Sequence, residues 1–161
     1  MTAVLGKALL FFSCIWLGRD RARQRKTRVA CLRDFRRSTA DLGRELAFSL
    51  EPLDRLMDRA ARGTGPAAGF FAACRDCFEA SGGESWAESW REALETASLP
   101  LREADLPLLA RAGEVLGRWD GETQRQALDD LISRLDETIF DGAEEAGRLF
   151  RVDLEIGRAH V

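Results

Sequence analysis

Apolar residues recur along most of this chain at spacings of three and four, the period of amphipathic helices. No stretch alternates polar and apolar residues for long enough to indicate a strand. Glycine and proline divide the pattern into segments, each long enough for a helix. We therefore predict an all-α fold with a compact bundle of about six helices, which begin near Thr27, Pro52, Pro66, Ser85, Asp105 and Asp120.

The same periodicity predicts which side chains form the core. In the fourth helix, Trp86, Trp90 and Leu94 form one stripe, and Ser85 with Glu88 can form a capping box at its start. Asp105 is expected to cap the fifth helix, which carries Pro107 in its first turn. The most regular apolar faces belong to the first helix, with Val29, Leu32, Phe35, Leu42, Leu46 and Leu50, and to the last, with Leu128, Leu131, Leu135, Ile139, Ala143, Ala146 and Phe150.

An apolar run at residues 3–17 precedes the bundle and is interrupted only by Lys7. As a helix it would span roughly 22 Å, slightly less than the hydrocarbon core of a bilayer. We predict a transmembrane anchor over residues 1–18, and the alternatives are a secretory signal peptide and a buried core helix. The apolar residues assigned to the anchor are Leu5, Leu9, Leu10, Phe11, Phe12, Ile15, Trp16 and Leu17.

Charge is distributed unevenly along the chain. Residues 1–37 carry a net +8 and the remainder a net −11. Because the positive charge follows the apolar run directly, it indicates topology rather than nucleic-acid binding, and it favours residue 19 onward in the cytoplasm. We assign residues 19–28 to a basic juxtamembrane segment and residues 29–152 to a cytoplasmic helical domain. The topology residues are Arg19, Arg21, Arg23, Arg25, Lys26 and Arg28.

Candidate catalytic chemistry is sparse. The one histidine, His160, lies beside the carboxyl terminus, so no histidine-based acid/base pair, triad or zinc site is expected within the domain. Cys74 and Cys77 form a Cys-x-x-Cys pattern, but the apolar residues around them favour core cysteines over a metal or redox site. We predict no catalytic residues, no cofactor, no metal and no small-molecule substrate, and a thiol-redox enzyme is the weaker alternative.

Several short motifs, in order, resemble the stage III sporulation protein AB family of endospore-forming bacteria. They are the Gly65-Pro66 turn, the tryptophan-containing segment SWAESWREAL and the Leu116-Gly117 turn, with Asp120 followed by Gln124. The resemblance covers roughly residues 3–152. The motif residues are Trp90, Leu116, Gly117, Asp120 and Gln124.

This resemblance implies a role in the channel that joins mother cell and forespore. The implied location is the mother-cell membrane around the forespore, with the helical domain facing the cytoplasm. The domain would be similar to the cytoplasmic domains of platform proteins in type II secretion and type IV pilus machines. The implied partners are a secretion-type ATPase, stage III sporulation protein AA, and other membrane subunits. The alternative is a generic single-pass membrane adaptor or regulatory protein.

An acidic face could receive the ATPase, since the chain after residue 37 carries excess negative charge. The candidate contacts are Asp129, Asp130, Asp136 and Glu137; the alternative interpretation is a solvated helix face.

The carboxyl-terminal residues 153–161 form a separate tail that ends in EIGRAHV. This heptapeptide reads like the translation of a sequencing-library adapter, whereas relatives resembling this chain continue into a second apolar membrane helix. We expect the tail to be non-native and a C-terminal membrane helix to be missing; the alternative is a genuine polar tail.

Overall fold

The computed structural model describes the backbone of residues 2–48, 51–116 and 121–158 and the side chains of residues 16, 18–46, 51–116 and 122–145. Over this part of the chain the fold is all-α with six helices, as predicted. A short 3₁₀ turn, Glu103–Asp105, precedes the fifth helix. The helices are α1 (Thr2–Phe48), α2 (Leu53–Ala61), α3 (Pro66–Ala80), α4 (Trp86–Thr96), α5 (Leu106–Gly113) and α6 (Gly121–Arg158).

The two long helices, α1 and α6, form the largest interface in the bundle and run antiparallel. Arg25 approaches Glu145 and Arg36 binds Asp136, while Gly43 lies beside Leu128 at the other end. Thus the contacts on α6 move towards its start as those on α1 move towards its end. Two glycines, Gly43 of α1 and Gly142 of α6, lie at this interface.

Aromatic rings fill the space between α1, α3 and α4. Phe70 lies 5.1 Å from Phe35 and 4.7 Å from Trp90 between ring centroids, and the contact with Trp90 is edge-to-face. The Trp90 indole N–H is satisfied because it donates to the Leu109 carbonyl over 2.9 Å. Gly113 must lack a side chain, since a Cβ there would overlap the indole ring. The predicted stripe of Trp86, Trp90 and Leu94 is confirmed as buried.

Two helix starts are held by side chains. Ser85 accepts the amide of Glu88 over 3.3 Å, which confirms Ser85 as the cap of α4. At α3 the acceptor comes from another helix, because the Asp34 carboxylate of α1 accepts the Ala67 amide over 3.0 Å. Gly65, at φ 143°, makes room for that carboxylate, which a Cβ would strike.

Three sequence expectations are corrected by the packing. The Asp105 carboxylate does not cap α5; it accepts the Arg102 amide over 2.9 Å and binds Arg28. Ala143 is exposed, and Gly142 takes the interior position because it faces Val29 and Arg28. Arg28, grouped with the juxtamembrane charges, is itself buried in the bundle.

Other predicted core positions follow the expected pattern or fall outside the described side chains. Val29, Leu32, Phe35 and Leu42 on α1 are buried, as are Leu128, Leu131 and Leu135 on α6. Leu46 and Ile139 pack on the core while remaining partly exposed. The side chains predicted at Leu50, Ala146 and Phe150 lie outside the described residues.

The predicted anchor forms the first part of α1, whose helical backbone continues without interruption into the bundle. Within the described part of the chain, no helix has a stretch both long enough and apolar enough to cross a bilayer. The predicted tail continues the backbone of α6 as far as Arg158, and residues 159–161, including His160, lie outside the described chain.

Candidate functional site

The predicted acidic residues lie on the solvent side of α6. Asp129, Asp130, Asp136 and Glu137 are all exposed. On the same side, Phe140 has 64% of its surface exposed, an unusual position for an aromatic residue in a bundle with a well-filled interior. Asp136 and Glu137 precede Phe140 by four and three residues, so all three belong to one helix face, which we call the α6 outer face.

Arginines already pair with three of these four acids. Asp129 binds Arg125 over 2.7 Å, and Asp130 binds Arg134 over 2.9 Å. The Asp136 carboxylate accepts two hydrogen bonds from Arg36 of α1, over 2.9 and 3.0 Å, and these bonds lower the pKa of Asp136. The α6 outer face is therefore less negative than its acidic residues alone suggest.

Phe140 was missed in the sequence prediction although a signal existed. It follows Ile139 directly and lies off the apolar stripe through Leu128, Leu131 and Leu135. A large apolar residue outside the buried stripe of a helix is exposed by geometry, because successive residues point about 100° apart. Such a residue is a candidate for binding a partner.

The motif residues used for the family resemblance have structural roles where they are described. Trp90 and Leu116 are buried in the core, and Gln124 is buried at the start of α6. Gly117 and Asp120 lie outside the described residues. The described members of this motif are therefore part of the packed interior.

The predicted topology residues divide into two environments. Arg19, Arg21, Arg23 and Lys26 are exposed on α1, and Arg25 is partly covered. Arg28 instead donates to both Asp105 oxygens, over 2.7 and 2.6 Å. Although burial alone would raise the pKa of Asp105, the bonds from Arg28 and the Arg102 amide hold it below its ordinary value. Of the predicted anchor residues, only the Trp16 side chain is described, and it is 71% exposed.

The cysteines occupy surroundings that disfavour thiol chemistry. Burial raises the pKa of Cys74 to about 12, and burial is also the main cause of the raised pKa of Cys77. Cys31, deep in the core, likewise has a pKa raised by burial to about 12. Reactive thiols need a lowered pKa, so these shifts favour the core interpretation of the Cys-x-x-Cys pattern.

An open groove of about 540 Å³ lies between α1 and α2, with Leu42, Leu56 and Ala60 among its lining residues. The charged residues at its rim pair with one another: Arg44 binds Asp41, and Arg59 binds Glu45 and Glu51. Among the residues with described side chains, no group of three or more His, Cys, Asp or Glu residues could hold a metal ion.

Comparison with known proteins identifies the family of this chain. The family model for stage III sporulation protein AB matches residues 3–152. A solved structure of a stage III sporulation protein AB matches with a TM-score of 0.68 at 22% identity, covering 75% of this chain and 97% of that one. At that identity the structural match shows the fold alone. No curated protein sequence matches the chain. Because the family model spans nearly the whole sequence, the chain belongs to the stage III sporulation protein AB family.

Proposed function

We propose that this chain is a non-catalytic membrane subunit of the secretion-like channel between mother cell and forespore, and that it serves as a platform for a cytoplasmic ATPase. The observation that carries this proposal is the family match over residues 3–152, which makes the protein sporulation-related. The same match favours a sporulation role over a generic membrane adaptor. A non-catalytic role agrees with the raised cysteine pKa values and with the structural use of the motif residues.

The proposed anchor spans residues 1–18 and contains the apolar run at residues 3–17. The proposed location is the mother-cell membrane around the forespore, with the bundle in the cytoplasm. The exposed arginines and Lys26 directly after this run support that orientation. Ser81, exposed at the end of α3, is a suitable position for a labelled cysteine. In intact cells, the introduced cysteine should resist a membrane-impermeant thiol reagent, and efficient labelling would reject the orientation.

The proposed docking surface is the α6 outer face, and Phe140 is its centre. An exposed aromatic ring flanked by Asp136 and Glu137 fits a partner with an apolar pocket and a basic rim. Because arginines of this chain already pair with Asp129, Asp130 and Asp136, we expect apolar contact to supply more of the affinity than net charge. Binding should therefore be weakened more by replacement of Phe140 than by added salt.

A pull-down with stage III sporulation protein AA tests this surface. Phe140→Ala should weaken capture of the ATPase by roughly tenfold or more, as is typical of an aromatic anchor. Reversal of Asp129, Asp130, Asp136 and Glu137 to lysine should also weaken capture, more so at low salt. Matched reversal of four exposed acids on other elements should have little effect, and the control set is Glu84, Glu95, Glu103 and Glu114. Undiminished capture by Phe140→Ala and by the first reversal set would reject docking at this face.

A further inference from the structure

A second surface lies at the other end of the bundle, where α1 approaches the loop before the 3₁₀ turn. A cavity of about 410 Å³ there is lined by five arginines, among them Arg21, Arg25 and Arg102, and by the apolar side chains of Pro100 and Leu101. We call it the arginine groove. Arg21, Arg25 and Arg28 are spaced by four and three residues, so one side of α1 faces the loop with three guanidinium groups.

Charge in the arginine groove is only partly compensated. Asp105 neutralises the charge of Arg28. The Glu145 carboxylate is shared, because it lies 3.7 Å from Arg25 and 3.3 Å from Arg102 between nitrogen and oxygen atoms. Against the five lining arginines stand Asp105, Glu145 and Asp20, which leaves a net charge of about +2. Among the described residues, Arg21 forms no ion pair.

This combination fits a phosphate group. Guanidinium groups bind phosphate oxygens through paired, charge-assisted hydrogen bonds, and two that share one carboxylate have donors left over. The apolar wall of Pro100 and Leu101 shields one side from water, which strengthens such bonds. We expect the fold not to depend on Arg21 and Arg25, since they lie on a helix that Arg28 and the core already hold in place.

The height of the groove along α1 identifies the source of the phosphate. The helix is continuous from Thr2 to Phe48. Arg21 follows the last apolar residue of the run by four positions, a rise of about 6 Å, and Arg25 by about 12 Å. The headgroup layer extends roughly 5–7 Å beyond the hydrocarbon core on each side. If the apolar run lies in the membrane, Arg21 at the mouth of the groove is at the depth of lipid headgroups, and the Arg25 side chain can extend towards them from about one turn further out.

We propose that the arginine groove binds the phosphate of an anionic phospholipid headgroup on the cytoplasmic surface, in addition to the general attraction between basic residues and membranes. This inference rests on the proposed membrane location. The bound lipid would fix the bundle against the membrane through Arg102, a residue that is distant in sequence from the basic segment. It would thereby set the orientation in which the α6 outer face is presented.

The test uses the full chain purified in a neutral detergent, with phosphatidylglycerol or phosphatidylcholine of matched acyl chains added, and native mass spectrometry of the lipids retained. The wild-type chain should retain phosphatidylglycerol in preference. The triple variant Arg21→Gln, Arg25→Gln, Arg102→Gln should lose that preference by roughly tenfold. A charge-matched control, Arg37→Gln, Arg91→Gln, Arg111→Gln, removes three exposed arginines elsewhere and should retain it.

Three results would overturn the proposal. Equal loss of the preference for phosphatidylglycerol in both triple variants would indicate general charge attraction, and equal retention of the two lipids by the wild-type chain would show that there is no preference. Removal of phosphatidylglycerol by excess inorganic phosphate would identify a free phosphate ligand. Fractionation of cells separates this proposal from the proposed function. A wild-type chain absent from the membrane fraction contradicts both, whereas a membrane-bound chain without lipid preference contradicts only the groove.

Discussion

Two arginine–aspartate pairs join α1 to distant parts of the bundle, and they differ in burial far more than in geometry. Arg28 binds Asp105 over 2.6 and 2.7 Å, and Arg36 binds Asp136 over 2.9 and 3.0 Å, each through two parallel hydrogen bonds. The side chains of the first pair are 11% and 3% exposed, and those of the second are 44% and 52% exposed.

Burial determines which pair holds the fold and which pair is available for another use. A buried pair cannot lose one member without leaving a charge out of water, so Arg28 and Asp105 must stay together. An exposed pair contributes little, because water and salt solvate both partners when they separate. Arg36 and Asp136 can therefore exchange partners at small cost, which is compatible with the proposed docking surface on α6.

The largest expected effect is the loss of one member of the buried pair. Asp105→Asn should destabilise the folded chain by about 3–5 kcal/mol, because the Arg28 guanidinium remains buried without a countercharge. The free energy of unfolding from urea titration measures this. Joint replacement, Arg28→Met with Asp105→Leu, should recover much of the loss. A cost below about 1 kcal/mol for Asp105→Asn would place this pair in the same class as the exposed one.

The next largest effect is expected in the dependence of stability on acid pH, because Asp105 of the buried pair has a shifted pKa. The pKa of Asp105 in the folded chain is lower than its ordinary value of about 3.9, so the folded state binds this proton less readily than the unfolded state. Its contribution to stability is therefore present above about pH 4 and is lost as the pH falls through the lower, folded-state pKa. Asp105→Asn should flatten the acid limb of the stability curve. An unchanged acid limb would contradict the assigned pKa shift.

Glycine substitutions at the interface between α1 and α6 should change the free energy of unfolding by about 1 kcal/mol. A Cβ at Gly43 would meet Leu128 at an ordinary 3.8 Å, so Gly43→Ala should stabilise by up to about 1 kcal/mol through helix propensity. A Cβ at Gly142 would lie 3.2 Å from Nη1 of Arg28, which Asp105 holds in place. Gly142→Ala should therefore not gain this stability. Thermal unfolding should give a higher melting temperature for Gly43→Ala than for Gly142→Ala, and equal melting temperatures would contradict this prediction.

The smallest effect is expected from the exposed pair. Asp136→Asn should change the free energy of unfolding by no more than about 1 kcal/mol, with a difference that shrinks as salt is added. Arg36→Gln should behave alike, since each variant removes the same bond. A cost comparable to that of Asp105→Asn would show that this pair also holds the bundle together.

Local patterns predicted most of the helices and many core residues. The capping role of Ser85 and the stripe of Trp86, Trp90 and Leu94 could be predicted because the residues concerned lie within about three turns of one helix. Gly113 could not be predicted as a packing site, since its constraint comes from Trp90 on another helix. The role of Asp34 at α3 was likewise hidden, because its acceptor atom and the Ala67 amide are 33 residues apart.

The same distinction between local patterns and long-range contacts applies to the candidate surfaces. The acidic residues of α6 and the arginines after residue 18 were identified from the sequence, because charge is visible in composition alone. The sequence did not show which of these charged side chains already pair within the fold. Asp136 is paired by an arginine 100 residues away, and Arg28 by an aspartate 77 residues away. The arginine groove needs Arg102, which no local pattern connects with the basic segment.

The sequence was sufficient to predict the helical class, the six segments and the uneven distribution of charge, because these depend on periodicity, on turn residues and on counting. Only the packed bundle shows that Arg28 is interior while Arg21 lines a groove, and that Gly142 rather than Ala143 faces α1. The physical reason is that burial depends on which helices meet and at what rotation. Contacts between residues far apart in the chain set both.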